Sequence, residues 1–233
     1  MLKIDILTLF PKMFDGPLSE SMIRLAQKKK RVKIKVHDLR RWTHDKHRTC
    51  DDKPFGGGPG MVMKIEPIHQ ALQAVKKGRH VVMLSPRGKQ FNHQTAVKLS
   101  RKKHLVFICG HYEGVDERVH QHLVDEEISI GDFILTGGEL PVMCVIDATV
   151  RLLPGVLGNH ESLESESFYK GHLEYPQYTR PHDYQGWKVP EVLRSGVHET
   201  IAAWRAKEAW RLTKKYRRDL LKLSRDRCRE EKP

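Results

Sequence analysis

The segment HVVMLSPRGKQFNHQTAVKLSRKKHLVFICG, residues 80–110, decides the fold class. Two short apolar runs, His80–Leu84 and Leu105–Cys109, predict buried strands, and Asn92–Arg101 between them predicts a helix that begins near an Asn cap. A strand, a helix and a second strand in succession form the unit from which parallel sheets are built.

The same alternation extends in both directions from this unit, to about residue 155. It predicts an α/β domain with a largely parallel sheet. Further strands are expected at Leu2–Thr8, Val32–Val36 and Glu127–Ile130, and further helices at Leu18–Lys30, Ile65–Val75, Asp116–Val124 and Glu139–Leu153.

Beyond that domain the pattern changes. Residues 156–186 show no sustained periodicity and read as a linker, whereas residues 198–223 carry helical spacing with Arg and Lys between the apolar positions. We therefore predict a catalytic domain at residues 1–158, a linker at 159–186 and a small, basic, all-helical domain at 187–233.

Charge indicates the partner. The 233 residues include 42 Lys and Arg against 29 Asp and Glu, a formal charge of +13. Such a balance is typical of proteins that bind polyanions, with nucleic acid first and an acidic membrane surface second, although a merely soluble basic protein is the alternative.

Several other classes are disfavoured. The apolar runs are too short to span a bilayer, and an acid inside the first apolar stretch, Asp5, argues against a signal peptide. Cysteines at positions 50, 109, 144 and 228 form no paired motif, so we expect a reducing cytoplasm rather than disulfides or a zinc site.

Three glycine-bearing turns follow or flank predicted strands: Ser85–Gly88, Gly110–Gly114 and Gly131–Leu140. Ligands of open α/β sheets bind at the carboxyl ends of the strands, so the turns are expected to form one small-molecule pocket. Ordinary turn chemistry is the alternative for any one of them. The sequence contains neither a dinucleotide fingerprint nor a P-loop.

A fourth glycine-rich segment, Asp51–Met61, lies in a long polar stretch at residues 39–60 that is expected to be a loop. Its consecutive glycines would let the backbone approach a flat or charged ligand. A flexible loop tip is the alternative.

Several of these residues resemble the bacterial tRNA (guanine-N1)-methyltransferases of the SPOUT class, over essentially the whole chain. The shared motifs are Leu9-Phe10-Pro11-x-Met13-Phe14, Gly56–Met61, Gly110–Arg118, Ile128–Leu140 and Pro176-Gln177-Tyr178-Thr179-Arg180-Pro181.

The resemblance implies a trefoil knot in the α/β domain, which periodicity could not reveal. It implies that S-adenosylmethionine binds in a bent shape and that a homodimer builds each active site from both subunits. The methyl acceptor would be N1 of the guanine immediately 3′ of the anticodon, position 37. Magnesium is also expected, but no ligand cluster can be assigned to it.

Residue roles are carried over position by position. The resemblance implies a donor pocket made of Leu84, Ser85, Pro86, Gly110, Tyr112, Glu113, Gly114, Ile130, Gly131, Asp132, Phe133, Ile134, Leu135, Gly137 and Gly138. Asp51 and the glycines Gly56, Gly57 and Gly58 would face the target base. Arg180, Lys214, Lys215, Arg217 and Arg218 are candidates for contacts to tRNA phosphates.

The general base is expected in the linker. The family places an Asp before a Ser-Phe pair, where this chain has Glu166, and a second family Asp corresponds to Glu174. A Glu side chain is one methylene longer than Asp but has nearly the same pKa, so the position of the carboxylate matters more than its basicity. A solvated acidic linker is the alternative. Arg151 corresponds to the arginine at the reacting guanine, although it also suits a helix C-terminus.

Two other functions remain open at this stage. One is a tRNA-binding protein of this class without catalysis, and the other is a methyltransferase acting on another RNA nucleotide. The expected partners are tRNA and a second copy of the chain, with no membrane and no other protein.

Overall fold

A computed structural model of the protein describes residues 1–75, 78–157 and 165–221. The chain divides into two compact units, Met1–Gly158 and Asn159–Pro233. In the described residues, no helix is both long enough and apolar enough to cross a lipid bilayer.

The first unit is built on a five-stranded sheet in the order β2-β1-β6-β5-β7. All four neighbouring pairs run parallel, which confirms the predicted mixed α/β architecture with a parallel central sheet. The strands are β1 (Leu2–Thr8), β2 (Val32–Asp38), β5 (His80–Gln90), β6 (His104–Ile108) and β7 (Glu126–Ser129).

Helices cover both faces of this sheet. One core cluster joins α2, α4 and α6 to Ile4 and Phe107, while a second joins α3 and α5 to Leu7 and Val106. Because β6 is covered on both faces, all five of its residues are buried. The helices are α1 (Asp15–Ser19), α2 (Ser21–Lys28), α3 (Ile65–Ala74), α4 (His93–Ser100), α5 (Glu117–His122) and α6 (Glu139–Val150).

Local capping explains where two of the helices begin. The Asn92 side chain accepts a hydrogen bond from the Thr95 N–H at 3.0 Å and caps α4. The Asp116 carboxylate accepts the Arg118 N–H at 2.9 Å and caps α5. The helix expected at residues 18–30 is shorter, because Glu20 is extended and separates α1 from α2.

Two other expectations about local structure are wrong. The stretch 39–60 is not structureless: Leu39–Trp42 forms a 3-10 turn, and β3 (Asp51–Asp52) pairs antiparallel with β4 (Val62–Met63). Strand β5 does not end at Leu84 but continues to Gln90. The first glycine-bearing turn therefore lies inside a strand.

The second unit contains a short hairpin, a 3-10 turn and one long helix in its described part. Strands β8 (Asp183–Tyr184) and β9 (Trp187–Lys188) pair antiparallel, so this unit is not purely helical. Helix α7 spans His198–Tyr216; Arg217 leaves helical geometry, residues 218–221 are helical again, and the rest of the segment expected to be helical up to 223 lies outside the described residues. Residues 222–233 lie outside the described part.

Candidate active site

A cavity of about 500 Å³ opens beside residues 83–87 in the middle of β5 and the carboxyl ends of β6 and β7. This volume lies in the range of small-molecule sites. The three turns singled out in the sequence all line it. Of the residues expected to hold the methyl donor, every one lines the cavity except Asp132.

The first wall is a bulge in β5. Leu84 and Lys89 both pair with Ile128 of β7, so the intervening residues 85–88 are extruded from the ladder. A Cβ added at Gly88 would lie 2.4 Å from the Ile128 nitrogen. Glycine at this position therefore lets the bulge pack directly against the backbone of β7.

The second and third turns are joined through their backbones. The Gly138 N–H donates to the Gly110 carbonyl at 2.8 Å, and His111 forms an isolated antiparallel bridge with Gly137. A Cβ on Gly138 would lie 2.8 Å from Cys109 Cα. The N-terminus of α6 can thus reach the end of β6 only if residue 138 has no side chain.

Exposed apolar side chains surround the cavity mouth. Tyr112, Phe133, Ile134 and Leu135 line it, and Ile134 is 80% exposed. Backbone N–H and C=O groups of glycine-rich turns lie between these apolar surfaces. The combination suits a ligand with a flat ring, an aliphatic portion and polar edges.

An ionic cluster ties the bulge to the other walls. The Arg87 guanidinium donates from Nε to Glu127 at 3.0 Å and from a terminal nitrogen to Glu117 at 2.8 Å. His120 lies beside them, with Nδ1 3.1 Å from Glu127 Oε1. Although burial acts to raise the pKa of Glu127, the hydrogen bonds from Arg87 and His120 lower it overall.

A buried carboxylate lies at the start of α6, directly after the lining residues Gly137 and Gly138. Glu139 is 1% exposed, and its Oε1 accepts the Thr8 hydroxyl at 2.7 Å. Its Oε2 lies 3.8 Å from His111 Nδ1. Burial and then the Glu139 charge raise the pKa of the Cys109 thiol well above its usual value, so this thiol remains neutral and unreactive.

The expected target-base segment adjoins the cavity. The Glu113 N–H donates to the Met61 carbonyl at 3.0 Å, and the Met63 N–H donates to Gly114 at 2.9 Å. Burial, followed by the neighbouring Asp51 carboxylate, raises the pKa of Tyr112. The exposed glycines Gly56, Gly57 and Gly58 all have positive φ and open space around them.

Arg151 does not reach this cavity within one chain. It caps the C-terminus of α6, whereas the N-terminal end of that helix, at Gly138, lines the cavity. A helix of twelve residues is about 18 Å long. That distance exceeds the length of an arginine side chain.

The linker acids Glu166 and Glu174 lie in the second unit. The Glu174 carboxylate accepts the Gln177 side-chain amide at 2.6 Å, and its N–H donates to Ser167 Oγ at 2.9 Å. Glu166 is partly buried.

The basic residues expected to bind tRNA differ in their surroundings. Arg217 pairs with Asp219 at 2.7 Å, and Arg218 donates to the Lys214 carbonyl. Lys214 and Lys215 lie over the rings of Trp210 and Tyr216. Arg180 instead lines an open groove of the second unit.

Comparison with known proteins decides the family. A family model described as tRNA (Guanine-1)-methyltransferase TrmD matches residues 2–223. A tRNA (guanine-N(1)-)-methyltransferase of Dictyoglomus turgidum is 57% identical over 95% of this chain and 90% of its own length. The Carboxydothermus hydrogenoformans enzyme of the same name is 56% identical, over 99% of this chain and 91% of its own length. The chain belongs to this family.

Three parts of this methyltransferase site escaped the sequence analysis: Arg87, His120 and Glu139. Arg87 and His120 act through partners distant in sequence, and no local pattern indicates such contacts. Glu139 gave no distinctive signal either, because an acid in the first turn of a helix is common. It suits the positive end of the α6 dipole.

The cavity of this methyltransferase fits S-adenosylmethionine in size and lining, and the family implies its use. At the lining residue Gly137, an added Cβ would lie 2.4 Å from the side-chain Nδ1 of His111. In the described residues, no cluster of three or more His, Cys, Asp or Glu side chains could hold a metal ion.

Proposed function

We propose that this protein transfers the methyl group of S-adenosylmethionine to N1 of the guanine at position 37 of tRNA, immediately 3′ of the anticodon. Membership of the tRNA (guanine-N1)-methyltransferase family is the observation that carries the proposal. The cavity beside the middle of β5 and the carboxyl ends of β6 and β7 supports it, because it supplies a site for the donor.

The donor is assigned to this cavity. Its sulfonium carries an activated methyl group, and the residues around it position that group and exclude water. The adenine ring would pack on Pro86 and the apolar rim, with its polar edge against backbone groups of the turns. Asp132 does not line the cavity, so its role would be to shape the turn that contains the lining residues Gly131 and Phe133.

The finer architecture of the family belongs to the same proposal. Residues 1–158 would form the catalytic domain with its trefoil knot, 159–186 the linker and 187–233 the tRNA-binding domain.

Methyl transfer requires that guanine N1 lose its proton. Glu166 is assigned as the base: its carboxylate accepts the N1 hydrogen while N1 forms a bond to the methyl carbon and the carbon–sulfur bond breaks. Arg151 would stabilise the negative charge that develops on O6. Asp51 and the glycines 56–58 would hold the target base, with Glu174 as the alternative base.

A homodimer completes the site. Arg151 lies about one helix length from the cavity of its own chain, so a second copy has to supply it. Exposed apolar side chains at the cavity mouth and on α6, such as Ile134 and Leu140, provide a surface for that copy. We also propose a cytoplasmic location. An assisting Mg²⁺ is proposed as well, with no ligands assigned to it.

Labelled donor and two tRNA transcripts test the function. Protein should methylate a transcript with guanine at position 37 and leave a transcript with adenine there unmodified, and the product should be 1-methylguanine. Methylation at another nucleotide, or donor binding without any transfer, would disprove the proposal.

Matched variants test the base. We expect Glu166→Gln to lower kcat by about 10²-fold or more, the usual effect of losing a general base, with little change in donor Kd. Glu174→Gln, which alters the carboxylate bound to Gln177, should retain more activity. The reverse order would assign the base to Glu174.

A further inference from the structure

An open groove of about 1010 Å³ crosses the second unit, between the segment 175–182 and the start of α7. Three arginines line it: Arg180, Arg194 and Arg205. We call it the arginine groove. All three arginines are exposed, and none of the residues that line the groove is an Asp or Glu.

The charge of these arginines is not compensated. Of the ion pairs between described residues, none includes Arg180, Arg194 or Arg205. Arg217 near the end of α7, in contrast, is paired with Asp219. Arginines without a carboxylate partner attract an anion, and their planar donor array matches phosphate oxygens.

Aromatic rings stand next to this charge. The Arg205 guanidinium lies 4.7 Å from the centroid of Tyr175. Tyr178 is 49% exposed, and its ring centroid lies 6.4 Å from that of Trp204. A half-exposed tyrosine beside uncompensated arginines can stack on a nucleic-acid base while the arginines hold its phosphate.

We propose that the arginine groove binds an unpaired nucleotide of the tRNA, other than the guanine that is methylated. Its phosphate would contact Arg180, Arg194 and Arg205, and its base would stack on Tyr178. An unpaired nucleotide is required because stacking on a side chain needs a base that is free of its helix. This inference rests on the proposed function, which supplies tRNA as the ligand.

Salt titration of tRNA binding measures the phosphate contacts. The variant Arg180→Gln/Arg194→Gln/Arg205→Gln should bind tRNA at least about tenfold more weakly at low salt. The slope of log K against log salt should become less steep by about 0.7, because the groove neutralises one phosphate of an unpaired nucleotide. The corresponding Arg→Lys variant should regain the slope but only part of the affinity.

A charge-matched control separates contact from net charge. Lys98, Lys102 and Lys103 are exposed in the first unit, near the end of α4 and the amino end of β6. Their replacement by Gln removes the same charge, so equal slopes in the two triple variants would overturn the inference. Donor Kd and circular dichroism, both expected to match the native protein, exclude misfolding as the cause.

A second measurement tests the stacked base. Tyr178→Ala should weaken tRNA binding several-fold without changing the salt slope, whereas Tyr178→Phe should bind like the native protein. Neither change should affect binding of a fully paired RNA duplex. Equal losses for tRNA and duplex would overturn the stacking. If the native protein methylates tRNA but neither the salt slope nor the Tyr178 variants give the expected result, the proposed function stands. Only the binding of a nucleotide in the arginine groove is then refuted.

Discussion

Gly138 is required by its neighbours rather than by its own backbone angles. Its φ of −79° and ψ of −7° are available to any residue. A Cβ there would nevertheless lie 2.8 Å from Cys109 Cα and 2.9 Å from the Gly110 nitrogen, both backbone atoms that cannot yield easily. The usual explanation of a turn glycine, positive φ, does not apply here.

Gly138→Ala should therefore displace the start of α6 from the end of β6 and distort the donor cavity. Overpacking of this kind costs about 1–3 kcal/mol, so we expect donor Kd to rise about tenfold, measured by calorimetry. Gly16→Ala is the matched control, since a Cβ at Gly16 would meet nothing within 4 Å. Native donor affinity in Gly138→Ala would contradict this account.

Sequence reasoning identified the three segments that line the cavity because their signals are local. An apolar run followed by glycine marks the end of β6, and Asn92 marks the start of α4. The bulge in β5 was misread as a turn, because Gly88 is explained only by its contact with Ile128 of β7. Contacts between segments distant in sequence, such as those of Arg87, leave no periodic pattern.

Among the elements, the β5 bulge depends on charge to keep its shape. Arg87 is the side chain of the bulge that reaches both α5, at Glu117, and β7, at Glu127. Each of these elements forms part of the cavity wall or adjoins it. The ion pairs of Arg87 therefore hold the β5 bulge, α5 and β7 in fixed positions relative to one another.

Arg87→Met should raise donor Kd by about two- to fivefold, the modest value expected for ion pairs that are half exposed. At saturating donor, kcat should be unchanged, since Arg87 positions the wall and does not take part in the transfer. Arg87→Met should add nothing further in a Glu117→Gln/Glu127→Gln background. Additive losses would show that the three charges act independently.

Strands β1, β2 and β6 are joined by one carboxylate. Asp5 accepts from His37 Nε2 and from His104 Nε2, each at 2.6 Å. Burial acts to raise the pKa of Asp5, but the hydrogen bonds from the two histidines outweigh it, and the pKa is lowered from 3.8. A carboxyl group whose pKa is lower in the folded state stabilises the fold above its unfolded pKa.

Asp5→Asn should thus reduce the free energy of unfolding by about 1.5–3 kcal/mol near neutral pH. The difference from the native protein should shrink as the pH falls below about 4, where the carboxyl group of the unfolded chain binds a proton first, and should be lost below the lower pKa of the folded state. Urea unfolding at several pH values measures this. Asp15→Asn, an exposed acid, is the control. A difference that persists at low pH would assign the effect to packing.

At the scale of the whole molecule, α6 separates the two ends of the proposed site. Gly138 at its N-terminus lines one cavity, and Arg151 at its C-terminus lies about 18 Å away along the helix. The proposed homodimer follows from this separation. Sequence periodicity predicted the helix α6, but it carries no information on whether a second chain contributes to the proposed site.

Two inactive variants should therefore restore activity together. Gly138→Val destroys the cavity and Arg151→Met removes the arginine, so each homodimer should be inactive. A heterodimer, purified after co-expression with two affinity tags, should keep one complete site and show about half of the native rate. An inactive heterodimer would mean that both residues serve the same subunit's site.

The strand order β2-β1-β6-β5-β7 has a consequence for synthesis. The strand that joins β1 to β5 is β6, and it leaves the ribosome after both of them. Until residue 108 has emerged, β1 exposes an unpaired edge on one side and β5 has no neighbour at all. The nascent chain therefore exposes unpaired strand edges on both β1 and β5, which are prone to aggregation. It most needs a chaperone during this interval.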